Sequence, residues 1–288
     1  MEEPPAAAGN RMKKRNRLSQ FPLLPTLLTL GNGFCGLLCI TLLTKSEWLV
    51  DAEWQETVGD ARIVSYAGML LFVAMLFDLL DGQVARLTKQ TSDFGAQLDS
   101  LCDVVSFGIA PVYLLMTCTD AFHPRLLWGI GALFAACAVL RLARYNVEKG
   151  EEHESGFTGL PSPAAAGTVA SFAIVFPLLH QAGSAEPTDI PARLGALVAD
   201  VTPELLPVMM FVMALLMVSR IPYPHVFDEF FRGNRNLTQF VQLLFVLIAI
   251  FTVHELALPL IFSAFALAPP AQLAWLRITR RWQEAIAR

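Results

Sequence analysis

Long runs of apolar residues alternate with short polar segments along most of this chain. A helix needs about 20 mostly apolar residues to cross about 30 Å of hydrocarbon. Runs near this length predict eight membrane-spanning helices, over residues 22–44, 62–86, 95–118, 125–147, 162–181, 203–219, 237–252 and 255–269. The last two runs are short and almost adjacent, so they form either a tight hairpin or one bent pair.

The composition agrees with a chain that lies mostly in lipid. Hydrophobic residues make up 55% of the 288 residues and charged residues only 16%, against about 25% in a typical soluble domain. So few polar groups cannot cover the surface of a soluble protein of this length. We therefore expect a multi-pass integral membrane protein rather than a cytosolic, disordered or disulfide-framework protein. The five cysteines lie almost entirely within apolar runs, which predicts buried, reduced thiols.

The basic residues give the predicted helices a direction. With a cytoplasmic N-terminus, the 21 Lys and Arg residues all fall in cytoplasmic segments except Lys45, Arg62, Arg125 and Arg193. This is the bias that the positive-inside rule describes, and it requires an even number of spans. The expected location is therefore an inner membrane of the bacterial type, with a basic N-terminal tail over residues 1–20 in the cytoplasm.

Four aspartates lie where the second and third predicted spans meet. Asp78 and Asp81 are three residues apart near the end of one span, and Asp99 and Asp103 are four apart near the start of the next. Each pair therefore shares a helix face. The short polar turn between them, with Ser92 or a neighbouring Asp as N-cap, makes the two helices antiparallel neighbours. We expect all four carboxylates to converge near the cytoplasmic surface.

Buried carboxylates need compensation, because each charged side chain at mid-membrane costs about 2.5–3.5 kcal/mol. Arg86 and Lys89 can neutralise two of the four at most. Ligands that are all oxygen suit Mg²⁺ or Mn²⁺ rather than zinc. Four carboxylates can hold two such ions about 3.5–4 Å apart, the spacing used for phosphoryl displacement. The alternative is a set of interfacial carboxylates that reach water or pair with Arg and Lys. Gly82 and Gly95 leave gaps where a phosphate-bearing group can approach the backbone.

The same stretch resembles the signature of the CDP-alcohol phosphatidyltransferases, D-x2-D-G-x2-A-R-x8-G-x3-D-x3-D. All eight positions match, namely Asp78, Asp81, Gly82, Ala85, Arg86, Gly95, Asp99 and Asp103. The resemblance implies an all-α membrane protein with a six-helix catalytic domain over residues 21–225. Residues 226–288 then carry about two further transmembrane helices and a basic tail. It also implies that the four aspartates bind two divalent cations, Mg²⁺ or Mn²⁺, and that Asp103 is also the catalytic base. Gly82, Ala85, Arg86 and Gly95 are implied to line the CDP-lipid site.

Further stretches resemble bacterial and archaeal phosphatidylserine synthases, over residues 99–111, 140–146, 157–166 and 216–224. This implies that CDP-diacylglycerol and L-serine are the substrates, and that phosphatidylserine and CMP are the products. Arg141 and Arg144 are candidates for binding the acceptor carboxylate or a phosphate, although they can also anchor a helix end. Glycerol 3-phosphate or an inositol compound is an alternative acceptor, and an ion-coupled transporter is an alternative class. The resemblance favours a homodimer in the lipid bilayer and gives no reason to expect nucleic acid.

The first predicted span departs from the family pattern. The family often shows Pro-Asn ahead of Thr, whereas here Pro25 precedes Thr26, and Thr29 and Asn32 follow. Two interpretations of Asn32 stay open. It faces the nucleotide of the CDP-lipid, or it is buried against Gly36.

Overall fold

The computed structural model describes residues 23–44, 60–88, 92–148, 159–184, 190–223 and 254–286. Nearly all of these residues are helical. The helices are α1 (Leu23–Leu43), α2 (Asp60–Leu87), α3 (Asp93–Asp103), a π-helical segment (Val104–Ile109), α4 (Ala110–Cys118), α5 (Pro124–Glu148), α6 (Ser162–Ser184), α7 (Ile190–Val218) and α8 (His254–Ile286). The segments α3, π-helix and α4 follow one another without a break.

Seven segments of the described residues are long and apolar enough to cross a membrane. They are Leu23–Leu43, Asp60–Leu87, Asp93–Cys118, Pro124–Val147, Ser162–Leu179, Asp200–Val218 and Ala257–Thr279. The all-α membrane fold is therefore confirmed, and seven of the eight predicted spans coincide with these helices. The remaining predicted span, 237–252, lies outside the described residues, so the even number of spans stays a prediction.

Two helices are longer than the apolar runs that predicted them. Helix α7 begins at Ile190 rather than near 203, and α8 continues to Ile286 rather than ending at 269. The reason is that charged residues such as Arg193, Asp200 and Arg277 interrupt the apolar runs there, whereas backbone hydrogen bonding continues each helix past them. In the far part of α8, the side chains of Trp275 and Ile278 are exposed.

The core lies between α2, α4, α6 and α7. Its fully buried side chains include Leu71, Leu114, Leu115, Met210 and Met213. All five cysteines are free and buried, as predicted. Close-packed apolar side chains leave few voids in such interiors. The bundle therefore forms a rigid scaffold for the polar groups at its ends.

Helix α1 approaches its neighbours closely through glycines. A Cβ atom at Gly36 would lie 2.7 Å from the Cα atom of Ser106, and one at Gly33 would lie 2.9 Å from the sulfur of Cys102. The Ser106 hydroxyl donates a hydrogen bond of 2.9 Å to the carbonyl oxygen of Asn32 at this crossing. Helix α1 is therefore held directly against the π-helical segment that follows Asp103.

Polar contacts join α3 to α5 and α6 to α7 at one end of the bundle. Ser92 caps α3, because its hydroxyl oxygen accepts a 3.0 Å hydrogen bond from the Gly95 amide, which confirms one of the two predicted caps. The Asn146 side-chain amide of α5 donates to the Ser100 hydroxyl of α3 at 2.9 Å. The Leu160 amide, just before α6, donates to the carbonyl of Leu216 in α7 at 3.0 Å. The end of α5 therefore lies beside α3, and the start of α6 lies beside the end of α7.

The close crossing at Gly36 generates a prediction about stability. In Gly36→Ala, the added methyl group meets the backbone of Ser106, which cannot rotate away as a flexible side chain does. Overpacking costs about 1–3 kcal/mol, which outweighs the gain of up to about 1 kcal/mol in helix propensity. The apparent melting temperature of the purified protein in detergent should therefore fall.

The matched control is Gly129→Ala in α5, where an added Cβ meets no described atom within 4 Å. That variant should melt at the same temperature as the unsubstituted protein or slightly higher. Equal melting temperatures for the two alanine variants would contradict the close contact between α1 and the π-helical segment.

Candidate active site

Three aspartates form a cluster at the junction of α2 and α3. One carboxylate oxygen of each of Asp78, Asp99 and Asp103 lies within 4.8 Å of the others. Asp103 is buried, while Asp78 and Asp99 are half-buried. We call these three residues the three-carboxylate cluster. The antiparallel arrangement predicted from the short turn brings them together.

Asp81 is buried beside this cluster but is not a member of it. Its Oδ2 atom accepts a hydrogen bond of 2.6 Å from the hydroxyl of Thr29 on α1. A step of three residues falls short of a full helical turn, so Asp81 is rotated away from Asp78 around α2. The expectation that all four carboxylates converge therefore holds for three of them, while the fourth faces α1.

Asn32 contacts the cluster directly. Its side chain is fully buried, and its Nδ2 atom donates a hydrogen bond of 2.9 Å to Oδ1 of Asp103. Its Oδ1 atom has no hydrogen-bond partner among the described residues. Asn32 also lies at the crossing of α1 with the π-helical segment, through its carbonyl bond with Ser106. Asn32 therefore orients the residue that the family signature implies is the base.

The two candidate arginines of α5 have different surroundings. Arg141 is buried, interacts electrostatically with Asp103 and Asp78, and donates from Nη1 to the hydroxyl of Ser162 at 2.6 Å. Arg144 is half-buried, and its Nη1 atom lies 3.4 Å from the carbonyl oxygen of Val218. Arg141 is therefore the arginine that partly neutralises the carboxylates. Arg144 links α5 to the end of α7.

The segment just before α6 is fixed by a backbone conformation that requires glycine. Gly159 has a φ of 93°, in the left-handed region, and its amide donates to the carbonyl oxygen of Ile221 at 2.9 Å. A Cβ atom there would lie 2.5 Å from the carbonyl oxygen of Met217. The chain consequently turns tightly into α6, where Ser162 meets Arg141.

The residues predicted to line the CDP-lipid site lie near the end of α2 and the start of α3. A Cβ atom at Gly82 would meet no described atom within 4 Å, so the backbone of α2 is open there. Arg86 is exposed, and its Nε atom donates to the carbonyl oxygen of Gly82 at 3.1 Å. Ala85 is half-buried, and a Cβ atom at Gly95 would lie 3.1 Å from the Ser92 hydroxyl oxygen, its one contact within 4 Å among the described residues. The gap expected at Gly82 is present, whereas the Ser92 hydroxyl narrows the gap expected at Gly95. The nucleotide-binding role of the four residues stays a prediction.

The composition of the cluster fits a divalent metal ion. Three carboxylates this close repel one another strongly in a medium of low dielectric constant. Arg141 supplies one positive charge against three negative ones. A hard cation with oxygen ligands would offset the remainder, as Mg²⁺ and Mn²⁺ do. The residues present are therefore compatible with divalent metal binding.

Sequence reasoning missed Thr29, Ser106 and Ser162 as members of this site. Thr29 and Asn32 are three residues apart on α1, which places them on one face of an otherwise apolar helix. Polar side chains within a membrane span tend to mark functional sites. That spacing was the available signal, but the partners on α2 and α3 only become visible once the helices are packed.

A family model described as CDP-alcohol phosphatidyltransferase matches residues 22–202. The match covers more than half of the chain, contains all eight signature residues and agrees with the geometry of the cluster. The chain belongs to this family, whose members generally use divalent metals. The resemblance noted in the sequence is thereby confirmed.

Several curated relatives have names that share one acceptor. The chain is 33% identical over 218 residues to the archaetidylserine synthase of Methanothermobacter thermautotrophicus, which covers 75% of each chain. It is 30% identical over 230 residues to the CDP-diacylglycerol–serine O-phosphatidyltransferase of Helicobacter pylori, or 80% of this chain and 81% of that one. A protein of the same name from Methanocaldococcus jannaschii is 47% identical over 97 residues, or 34% of this chain and 45% of that one. All three names contain serine, but the first names an archaetidyl lipid and the other two name CDP-diacylglycerol.

The three-carboxylate cluster generates a prediction about metal binding. Mn²⁺ should bind the purified protein and raise its melting temperature, because it offsets the repulsion among the carboxylates. Asp99→Asn removes one charge and one ligand. Mutation of a residue that only contacts a metal ligand costs at least about ten-fold in affinity, so losing a ligand itself should lower Mn²⁺ affinity by more than that. Electron paramagnetic resonance of free Mn²⁺ measures this affinity.

The control is Asp120→Asn, an exposed aspartate just after α4, at the opposite end of that span from the cluster. It should leave the Mn²⁺ affinity unchanged. Loss of affinity in both variants, or in neither, would show that the cluster is not the metal site.

Proposed function

We propose that this protein transfers the phosphatidyl group of CDP-diacylglycerol to the hydroxyl group of L-serine, giving phosphatidylserine and CMP. The observation that carries the proposal is the cluster of Asp78, Asp99 and Asp103 within the family signature. The names of the relatives support serine as the acceptor. In this proposal, the protein is a membrane enzyme of phospholipid synthesis.

Asp103 is the proposed base. Its Oδ1 atom is held by the Asn32 amide at 2.9 Å, which leaves its other oxygen to take the proton of the acceptor hydroxyl. The serine oxygen then forms a bond to the phosphorus of the phosphatidyl group, and the bond from that phosphorus to the CMP oxygen breaks. General base catalysis of this kind needs the carboxylate within hydrogen-bond reach of the hydroxyl. A base fixed by a buried amide is already oriented before substrate arrives.

Two divalent cations, Mg²⁺ or Mn²⁺, held by Asp78, Asp81, Asp99 and Asp103, would neutralise the diphosphate of the CDP-lipid. The residues of the chain position the two substrates, and such positioning supplies much of the catalysis of phosphoryl transfer. The open backbone at Gly82 leaves room for the nucleotide diphosphate beside α2. Ala85, Arg86 and Gly95 lie on the same two helix ends and complete the proposed CDP-lipid site.

Arg141 and Arg144 are the proposed contacts of the acceptor or the lipid phosphate. Arg141 is favoured for the serine carboxylate, because it already lies beside Asp103 and the Ser162 hydroxyl. A guanidinium group binds a carboxylate through two parallel hydrogen bonds. Arg144 lies one helical turn further along α5, where a phosphate group at the membrane surface is its natural partner.

The active site is proposed to face the cytoplasm, and the protein to be a homodimer in an inner membrane. The exposed Arg86 and Arg220 lie at the same end of the bundle as the carboxylates, which favours the cytoplasmic side under the positive-inside rule. The dimer rests on family resemblance. An acceptor other than serine, such as glycerol 3-phosphate or an inositol compound, is the alternative within the same chemistry.

The deciding experiment measures CMP release from CDP-diacylglycerol by the purified protein with Mg²⁺ or Mn²⁺. L-serine, glycerol 3-phosphate and myo-inositol are compared as acceptors. We expect CMP release to depend on L-serine and phosphatidylserine to appear in equal amount. CMP release that depends on another alcohol would keep the reaction class and overturn the acceptor. No acceptor-dependent release at all would overturn the enzyme assignment, leaving an ion-coupled transporter as the other class.

Asp103→Asn tests the base. The amide keeps the shape of the carboxylate but cannot take a proton, so turnover should fall by at least about 100-fold, the lower range for general base catalysis. Binding of the CDP-lipid should survive at least in part, because Gly82, Ala85 and Arg86 are unchanged. Single-turnover CMP release and equilibrium binding of the CDP-lipid separate the two effects. Near-normal turnover would show that another group takes the proton.

A further inference from the structure

Thr29 is a buried hydroxyl residue of α1, outside the family signature, that contacts one of the four signature aspartates. Its Oγ1 atom lies 2.6 Å from Oδ2 of Asp81 and 3.0 Å from the carbonyl oxygen of Pro25, one turn earlier. Both Thr29 and Asp81 are nearly inaccessible to solvent. The contact therefore forms inside the bundle, between a neutral donor and a carboxylate.

The hydroxyl of Thr29 does not need Asp81 for its own satisfaction. A threonine inside a helix can donate to the carbonyl four residues earlier, and Pro25 is in place to accept. A hydroxyl carries a single proton, so it cannot serve both acceptors fully. The bond to the carboxylate is the shorter one and is charge-assisted, which makes it the stronger. The hydrogen bond therefore stabilises the Asp81 carboxylate, whereas the Thr29 hydroxyl has another acceptor without it.

The bond also fixes where Asp81 points. Asp81 follows Asp78 by three residues on α2, yet its carboxylate is turned to α1 and lies outside the three-carboxylate cluster. Asn32, three residues after Thr29, holds one oxygen of Asp103 in the same way from the same face of α1. Helix α1 therefore donates to one carboxylate on α2 and to one on α3.

We propose that Thr29 is a positioning residue of this site, whose hydroxyl holds Asp81 apart from the three-carboxylate cluster so that Asp81 serves a second divalent cation. The inference rests on the proposed function, because it assigns a task to the two-cation site. Thr29 engages Oδ2 of Asp81, and the Gly82 amide also donates to this carboxylate. A carboxylate has about four lone-pair sites, so Asp81 keeps acceptor capacity for the cation. Removal of a group that orients a metal ligand in this way typically lowers metal affinity or activity about 10–100-fold.

The test replaces Thr29 by two residues of nearly its own size. Thr29→Val keeps the volume and removes the donor, whereas Thr29→Ser keeps the donor and removes a methyl group. Thr41→Val is the matched control. Thr41 is on the same helix, and among the described residues its hydroxyl donates only to the Leu37 carbonyl oxygen, one turn earlier, at 2.8 Å. Mn²⁺ titration followed by electron paramagnetic resonance measures binding without any need for turnover.

The expected result is two Mn²⁺ ions bound by the unsubstituted protein, with the weaker of the two affinities reduced about ten-fold in Thr29→Val. The tighter site should be unchanged. Thr29→Ser and Thr41→Val should bind as the unsubstituted protein does. In turnover assays, the Mn²⁺ concentration for half-maximal rate should rise in Thr29→Val, while the KM for serine at saturating Mn²⁺ should stay constant.

A double-mutant cycle connects the effect to Asp81. In the background of Asp81→Asn, Thr29→Val should cause no further loss of Mn²⁺ affinity, because the residue that it positions is no longer a carboxylate. An additional ten-fold loss in that background would overturn the proposal. So would equal losses in Thr29→Ser and Thr29→Val, unchanged Mn²⁺ binding in Thr29→Val, or a single Mn²⁺ bound by the unsubstituted protein.

The outcomes for Thr29 and for the proposed function can be told apart. If the protein binds two Mn²⁺ ions with the expected dependence on Thr29 but releases no CMP with serine, the acceptor is wrong and the positioning role stands. If serine-dependent CMP release is intact while Thr29→Val binds Mn²⁺ normally, the function stands and the role of Thr29 is overturned.

Discussion

The burial of several like charges at one point of an apolar helix bundle is the constraint on which the rest of this structure depends. Asp78, Asp99 and Asp103 lie within a few ångströms of one another, between helices that otherwise suit lipid. Such charges persist only where donors and countercharges surround them. The structure supplies Arg141 from α5 and an amide from α1. Its remaining negative charge makes a divalent cation the natural complement.

Meeting that constraint requires helices from distant parts of the chain to approach closely. Helix α1 reaches the π-helical segment because Gly36 has no side chain to keep Ser106 away. The chain before α6 turns sharply at Gly159, which lets Ser162 meet Arg141. A π-helical segment directly follows Asp103, and such segments occur frequently at functional sites. These local backbone features thus allow the polar side chains at one end of the bundle to come into contact.

Much of the fold was predictable because the length of an apolar run is a property of local sequence. The junction of α2 and α3 was predictable for the same reason, since helix periodicity and the Ser92 cap lie within one short stretch. The orientation of Asp81 was not predictable. Residues three apart share a helix face only approximately, and Asp81 accepts a hydrogen bond from Thr29, more than fifty residues earlier. The full lengths of α7 and α8 also exceeded what apolar runs indicate.

The signature alone therefore does not define this site. The eight signature residues all lie on α2 and α3, whereas two of the four aspartates accept hydrogen bonds from α1. A hydrogen bond to a charged group contributes about 1.5–3 kcal/mol, which corresponds to roughly ten- to a hundred-fold in an equilibrium constant. Two chains with identical signatures can thus differ widely in metal affinity if they differ at Thr29 or Asn32. The active site is better regarded as a property of three packed helices than of one sequence motif.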